Sequence, residues 1–219
     1  VSTARTHTQR RAPIRPKVAA TANARTALAD WGPGLTTSVL TFGQFSLFDA
    51  LLAVLDRTGP AHVDLATWTA GGADLERAAQ QAADGRILSL RLVVDSSFPT
   101  RQPGYCATLV RLFGHDSIRT IRSHAKWAVI ANAAWTVVIR TSMNLNNNPR
   151  LEWLEVTDDP ELAAFLRSVT DDIFAENPAA DFGVLRPVTD TALESVPHIR
   201  PASTIRASAA PLLTGPGAP

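Results

Sequence analysis

Between Ser46 and Phe174 the chain switches repeatedly between two hydrophobic periods, and that alternation constrains its fold more than any other feature. Ser46-Leu-Phe-Asp49 is a helix-start pattern, followed by Leu47, Ala50, Leu51, Val54 and Leu55 at helical spacing and stopped by Gly59-Pro60. Ala61–Thr67 then reads as a buried strand, and Gly71-Gly72 opens a helix bearing Leu75, Ala78, Ala79 and Ala82 that Asp84-Gly85 ends. Ile87–Val94 is the next strand. After a loop over Pro99–Pro103, Tyr105–Phe113 is a short helix stopped by Gly114. Three strand-like runs follow, Ile118–Arg122, Lys126–Ala131 and Trp135–Arg140, then an asparagine-rich loop and a strand over Glu152–Thr157. Asp159–Phe174 carries Leu162, Phe165, Leu166, Val169 and Ile173 on one helical face. Helices alternating with strands early, and strands clustering late, predict an α/β sandwich: a mixed sheet with helices on both faces.

The 219 residues, 45% of them hydrophobic, suffice for one such core. The flanks read differently. Residues 1–29 hold Arg5, Arg10, Arg11, Arg15, Lys17 and Arg25 without an acid, and predict a flexible basic arm of the kind that touches nucleic acid. Residues 30–180 carry twelve basic and seventeen acidic side chains, so the overall charge of +1 hides a basic arm on an acidic body. The globular domain is expected over 30–177, and 178–219, rich in Pro, Ala and Thr, as an extended tail. One cysteine, Cys106, excludes an intramolecular disulfide and a multi-cysteine zinc site. No apolar run spans a membrane and no signal-like core opens the chain, so a cytoplasmic protein without a membrane partner is expected.

The densest polar cluster lies at the strand ends. His124-Ala-Lys126 opens one strand, and side chains two apart in a strand point the same way. An ammonium beside an imidazole disfavours a second positive charge there, which suits a neutral, nucleophilic histidine next to an anion-binding group. A hairpin through Asn132-Ala-Ala-Trp135 returns the chain toward Thr141-Ser-Met-Asn144. The Ser142 hydroxyl and Asn144 amide there can donate to phosphate oxygens. Glu152, opening the next strand, is placed to hold the imidazole Nδ1–H. Asp95 and Thr67, at strand ends, could line the same cleft. Taken singly each has a structural reading: a satisfied histidine, turn-forming Ser and Asn, strand-end caps. Lys126 is harder to dismiss, because an unpartnered lysine inside an apolar strand is costly. The chain has only two lysines, Lys17 and Lys126, and writes arginine elsewhere, so a compact ammonium is retained at the second. Trp127, Trp135 and Trp153 flank the cluster and read as packing residues rather than base-stacking platforms.

His124-x-Lys126, then strand, turn and strand, then Thr141-Ser142-x-Asn144 with Glu152 downstream, resembles the HKD motif of the phospholipase D superfamily, H-x-K-x4-D-x6-G-S-x-N. The resemblance covers roughly Gln44 to Phe174, and Ser142–Arg150 looks like a phage-associated nuclease branch. It departs in two places: Ala131 stands where the motif has Asp, with Asn132 next, and Thr141 replaces the glycine before Ser142. The resemblance implies a metal-independent, cofactor-free phosphodiesterase, with His124 forming a covalent phosphohistidine. It also implies that Lys126 and Asn144 bind phosphate, beside the Ser142 hydroxyl, and that Glu152 or a nearby group orients His124. Since only one H-x-K occurs and the family uses two, a homodimer sharing one cleft is expected. The basic arm favours nucleic acid as substrate, DNA ahead of RNA, and hence an endonuclease. The alternative is a catalytically inactive nucleic-acid-binding or assembly protein on the same fold.

Overall fold

The computed structural model describes residues 23–146 and 149–179. The basic arm up to residue 22 and the tail from residue 180 lie outside the described residues. The elements are α1 (Ala24–Ala27), β1 (Thr37–Thr41), α2 (Leu47–Thr58), β2 (Ala61–Thr67), α3 (Gly72–Ala83), β3 (Ile87–Asp95), α4 (Phe98–Arg101), α5 (Pro103–Phe113), β4 (Ile118–Ile121), β5 (Trp127–Ala131), β6 (Thr136–Thr141), β7 (Glu152–Thr157) and α6 (Pro160–Glu176). The strands form one mixed sheet in the order β1-β7-β6-β5-β2-β3-β4. β2, β3 and β4 pair in parallel, and every other neighbouring pair is antiparallel.

Local chemistry sets the element ends. Ser46 caps α2: its hydroxyl accepts from the Asp49 amide at 3.3 Å, while the Asp49 carboxylate accepts from the Ser46 amide at 2.8 Å. Gly59 ends the helix at φ 76°, where a side chain would be strained. Asp159 accepts from the amides of Glu161 and Leu162, with Pro160 in the first turn of α6. Three elements depart from the sequence reading: α1 falls inside the expected flexible arm 1–29, where Ala24 and Leu28 are drawn into the core and Arg25 pairs with Asp56. The expected Pro99–Pro103 loop contains α4, because a proline in a helix's first turn gives up no bond that the turn needs. β1 gave no alternation signal: it pairs on one side only, its burial alternates weakly, and Leu40 is exposed.

Both faces of the sheet are covered, which is why all five residues of β5 are buried. On one face Leu47, Leu51, Leu55, Leu75 and Leu109 of the helices α2, α3 and α5 pack against Leu65, Leu92, Ile130, Ile139 and Leu154. On the other, Leu162, Ala163 and Ile173 of α6 cover Ala66, Val93, Trp127, Val129 and Val138. Each such aliphatic side chain contributes about 1.5–3 kcal/mol by leaving water. Under α6 the buried Asp64 takes two bonds from Arg91, at 2.6 and 2.5 Å, and Arg91 also reaches Asp171 at 2.5 Å. Ala24 and Leu28 are buried in the larger core together with Trp31, whose ring lies 5.7 Å from that of Trp135. Trp127 is buried too, whereas Trp153 remains 38% exposed. Among the described residues no helix is long and apolar enough to cross a membrane.

Candidate active site

The topology gathers the polar cluster at one end of the sheet. The parallel strands β2, β3 and β4 finish there, at Thr67, Asp95 and Ile121. β5 runs antiparallel to β2, with Trp127 opposite Ala66, so β5 begins at that same end. β6 and β1 finish there and β7 starts there, since Trp127 faces Arg140 and Thr41 faces Glu152. The carboxyl ends of parallel strands are where open α/β sheets ordinarily receive ligands, because the chain must leave the sheet there through loops.

His124 lies on the loop between β4 and β5, with its side chain exposed, and Lys126 sits one step before β5, its carbonyl accepting from the Thr141 amide at 3.3 Å. The Lys126 ammonium donates to the His124 carbonyl at 2.8 Å and lies 3.2 Å from Nδ1 and 3.4 Å from Nε2 of the imidazole. Lys126 is only 8% exposed; burial pushes its pKa down, and the nearby Glu152 charge opposes that in part.

Asn144 reaches the same end from the loop that follows β6. Its Oδ1 lies 3.5 Å from the Thr67 hydroxyl, and the next residue is fixed to the β2–α3 loop, the Gly71 amide donating to the Leu145 carbonyl at 2.6 Å. Ser142 and Glu152 are joined to each other rather than to the imidazole. The Ser142 hydroxyl donates to the Glu152 carboxylate and accepts from the Trp153 amide at 2.9 Å. No hydrogen bond links Glu152 to His124; its charge acts at Lys126 instead.

The two departures from the motif have local explanations. Ala131 stays in the β5 ladder opposite His62 and Thr136. Asn132 then builds the turn: its Oδ1 accepts from the amides of Ala134 and Trp135, both at 2.9 Å, and its Nδ2 donates to the carbonyls of Thr58 and Pro60. Thr141 donates to the Trp153 carbonyl at 2.6 Å and accepts from the Met143 amide, fixing the bend that a glycine would otherwise make.

Two residues at the site, Trp68 and Arg101, carry no sequence signal. The Trp68 ring lies 5.5 Å from the His124 ring, and the Arg101 guanidinium lies 3.7 Å from the Trp68 centroid. Asp95 ties this group to the histidine loop, accepting from the Ser123 amide through one oxygen and from Ser97 through the other. Burial raises the Asp95 pKa, but the bonds from Ser97 and Ser123 outweigh it and hold the carboxyl below its ordinary value. Trp68 and Arg101 are separated from His124 by 56 and 23 positions, and only the sheet order places them beside it. The apolar cavity bounded by Phe48, Leu51, Leu65 and Leu75 lies inside the core and has no part in this chemistry. Among the described residues no group of three or more His, Cys, Asp or Glu side chains is placed to hold a metal ion.

The fold is similar to that of a phospholipase D family member. The structure matches Nuc, a phospholipase D family member from Salmonella typhimurium, with a TM-score of 0.50 at 14% identity, over 67% of this chain and 97% of Nuc. NucT from Helicobacter pylori aligns with a TM-score of 0.47 at 17% identity, over 67% of this chain and 100% of NucT. No family model matches the sequence, and no curated protein matches it.

Proposed function

We propose that the protein is a phosphodiesterase of the nuclease type, acting without a metal through a phosphohistidine on His124. The observation that carries this reading is the Lys126 ammonium held 3.2 Å from the imidazole of an exposed histidine at the carboxyl end of β2. A ring nitrogen of His124 attacks phosphorus, forming a P–N bond as the P–O bond to the leaving group breaks. Lys126, helped by the Asn144 amide, offsets charge on the equatorial oxygens. The leaving oxygen takes a proton from a second imidazole, which then removes one from water as that water cleaves the P–N bond. Arg-rich residues 1–29 favour a polyanionic substrate, DNA in preference to RNA.

The second imidazole in this scheme is His124 of the partner subunit. An exposed apolar strip beside the site supports that reading. Leu40 opposes Trp153 across the β1–β7 ladder, and Phe42 and Leu151 flank its last pair, Thr41–Glu152. All four are exposed, Leu40 by 68% and Phe42 by 65%, and Glu152 between Leu151 and Trp153 holds Ser142. An apolar strip of this kind on a soluble surface fits a self-complementary two-fold contact.

The test is incubation of the full chain with single- and double-stranded DNA in EDTA, beside His124→Ala. Cleavage by the wild type alone, with acid-labile phosphate trapped on His124, is expected. If both proteins bind DNA and neither cuts it, the enzyme reading fails and the binding protein replaces it. A monomeric species with full activity would contradict the shared site.

A further inference from the structure

Arg101 is more rigidly held than an exposed arginine needs to be. Its Nε donates to the Ser97 hydroxyl at 2.9 Å, its Nη2 donates to the Trp68 carbonyl at 3.0 Å, and its guanidinium stacks on the Trp68 ring at 3.7 Å. Stacking and two bonds remove the rotamer freedom that an arginine otherwise loses when it binds an anion. Among the described residues no carboxylate bonds it directly, although the Asp95 charge lies near enough to interact with it. Arg77, Arg86, Arg91 and Arg140 each bond a carboxylate, whereas the partners of Arg101 are a hydroxyl and a carbonyl. The same Asp95 that fixes Ser97 also fixes the Ser123 amide, so the mount of Arg101 and the loop carrying His124 share one anchor.

From this the geometry points to a second phosphate subsite: Arg101, presented on Trp68, receives a phosphate neighbouring the scissile one and makes the site select polynucleotides over isolated diesters. The inference rests on the phosphodiesterase reading above. The separations of 3.7 Å and 5.5 Å, laid end to end, bound the distance from guanidinium to imidazole. Neighbouring phosphates of one strand fall within that span, since only six backbone bonds join one phosphorus to the next. With Nε given to Ser97 and one Nη2 hydrogen to Trp68, the Nη1 hydrogens and the second Nη2 hydrogen remain to donate to phosphate oxygens. An isolated diester has nothing to place there, so the contact adds binding only for a chain of phosphates.

The experiment compares kcat/KM for a single-stranded oligonucleotide and for bis(4-nitrophenyl) phosphate in wild type, Arg101→Gln and Arg101→Lys. The preference for oligonucleotide is expected to fall about tenfold in Arg101→Gln, through KM rather than kcat, and by less in Arg101→Lys, which keeps the charge but not the fork. An unchanged preference, or an equal loss on both substrates, overturns the subsite while leaving the phosphodiesterase reading intact. If the wild type cuts neither substrate, that reading fails by itself, and anisotropy with the labelled oligonucleotide decides the subsite. Arg101→Gln must then weaken binding and lower the slope of log K against log salt by about one; no change in either overturns it.

Discussion

Replacing Lys126 by methionine separates the two reasons for keeping a lysine in an apolar setting. The side chain is 8% exposed, and its one short hydrogen bond goes to the His124 carbonyl at 2.8 Å. Losing a hydrogen bond from a charged donor costs about 1.5–3 kcal/mol, and the carbonyl left behind belongs to an exposed residue that water can reach. Against that loss stands the relief of the buried ammonium, for which a methionine of similar length is an apolar replacement. Net stability is expected to stay within about 1 kcal/mol of wild type at neutral pH. Burial lowers the Lys126 pKa below its ordinary 10.5, with Glu152 opposing in part, so the folded state binds this proton less tightly than the unfolded one. The penalty is complete below the lowered value and fades as pH rises toward 10.5, so wild type gains on Lys126→Met across that interval. On the proposed mechanism activity has no such compensation: loss of one transition-state donor costs about 10²–10³ in kcat. Urea denaturation at several pH values, beside oligonucleotide cleavage, measures both. A destabilisation above about 3 kcal/mol would show that Lys126 is part of the fold, and activity within tenfold of wild type would remove it from the chemistry.

Asn132→Asp, although it restores a carboxylate near the motif position, is expected to destabilise by about 1–3 kcal/mol, because Nδ2 donates to the carbonyls of Thr58 and Pro60 and an aspartate would turn an acceptor on both; thermal denaturation reads this. Arg91→Leu leaves Asp64 buried with only the distant Arg167, at 3.8 Å, and is expected to cost about 3–5 kcal/mol in chemical denaturation, with Asp64→Asn in the same chain recovering part of it. Asp95→Asn keeps one acceptor where two oxygens serve Ser97 and Ser123, and is expected to cut activity by loosening the His124 loop. Because the folded pKa of Asp95 is depressed, its stabilisation is present above the unfolded value and is lost as pH falls through the folded one; the stability gap between wild type and Asp95→Asn should therefore close in acid, and a gap independent of pH would refute this.

What could be read from the chain alone divides according to the range of the interaction. α2, α3, α5 and α6, and strands β2 to β7, follow from period, caps and glycine stops, because each is decided within about a dozen residues. The pairing of His124 with Lys126 was legible for the same reason: two positions along one extended segment fix a shared direction whatever the partner strands are. β1 was not legible, because an edge strand with Leu40 and Phe42 exposed owes its conformation to β7 and not to its own pattern. Nor was the role of Glu152. Its place beside the cluster follows from sequence, but the choice between the imidazole and the Ser142 hydroxyl depends on how β6 and β7 register, a matter of a few ångströms.

The sequence by itself determined most of the elements, the mixed α/β class and which polar side chains make up the candidate site, since period and residue chemistry are local properties. The tertiary structure alone decided which strand ends meet. The order β1-β7-β6-β5-β2-β3-β4 sets Trp68, Asp95 and Arg101 around His124, and it seats Asn144 against Thr67 from 77 residues away. Contacts at such separations exist only once a sheet has closed its loops and buried both faces, so no local pattern in the chain records them.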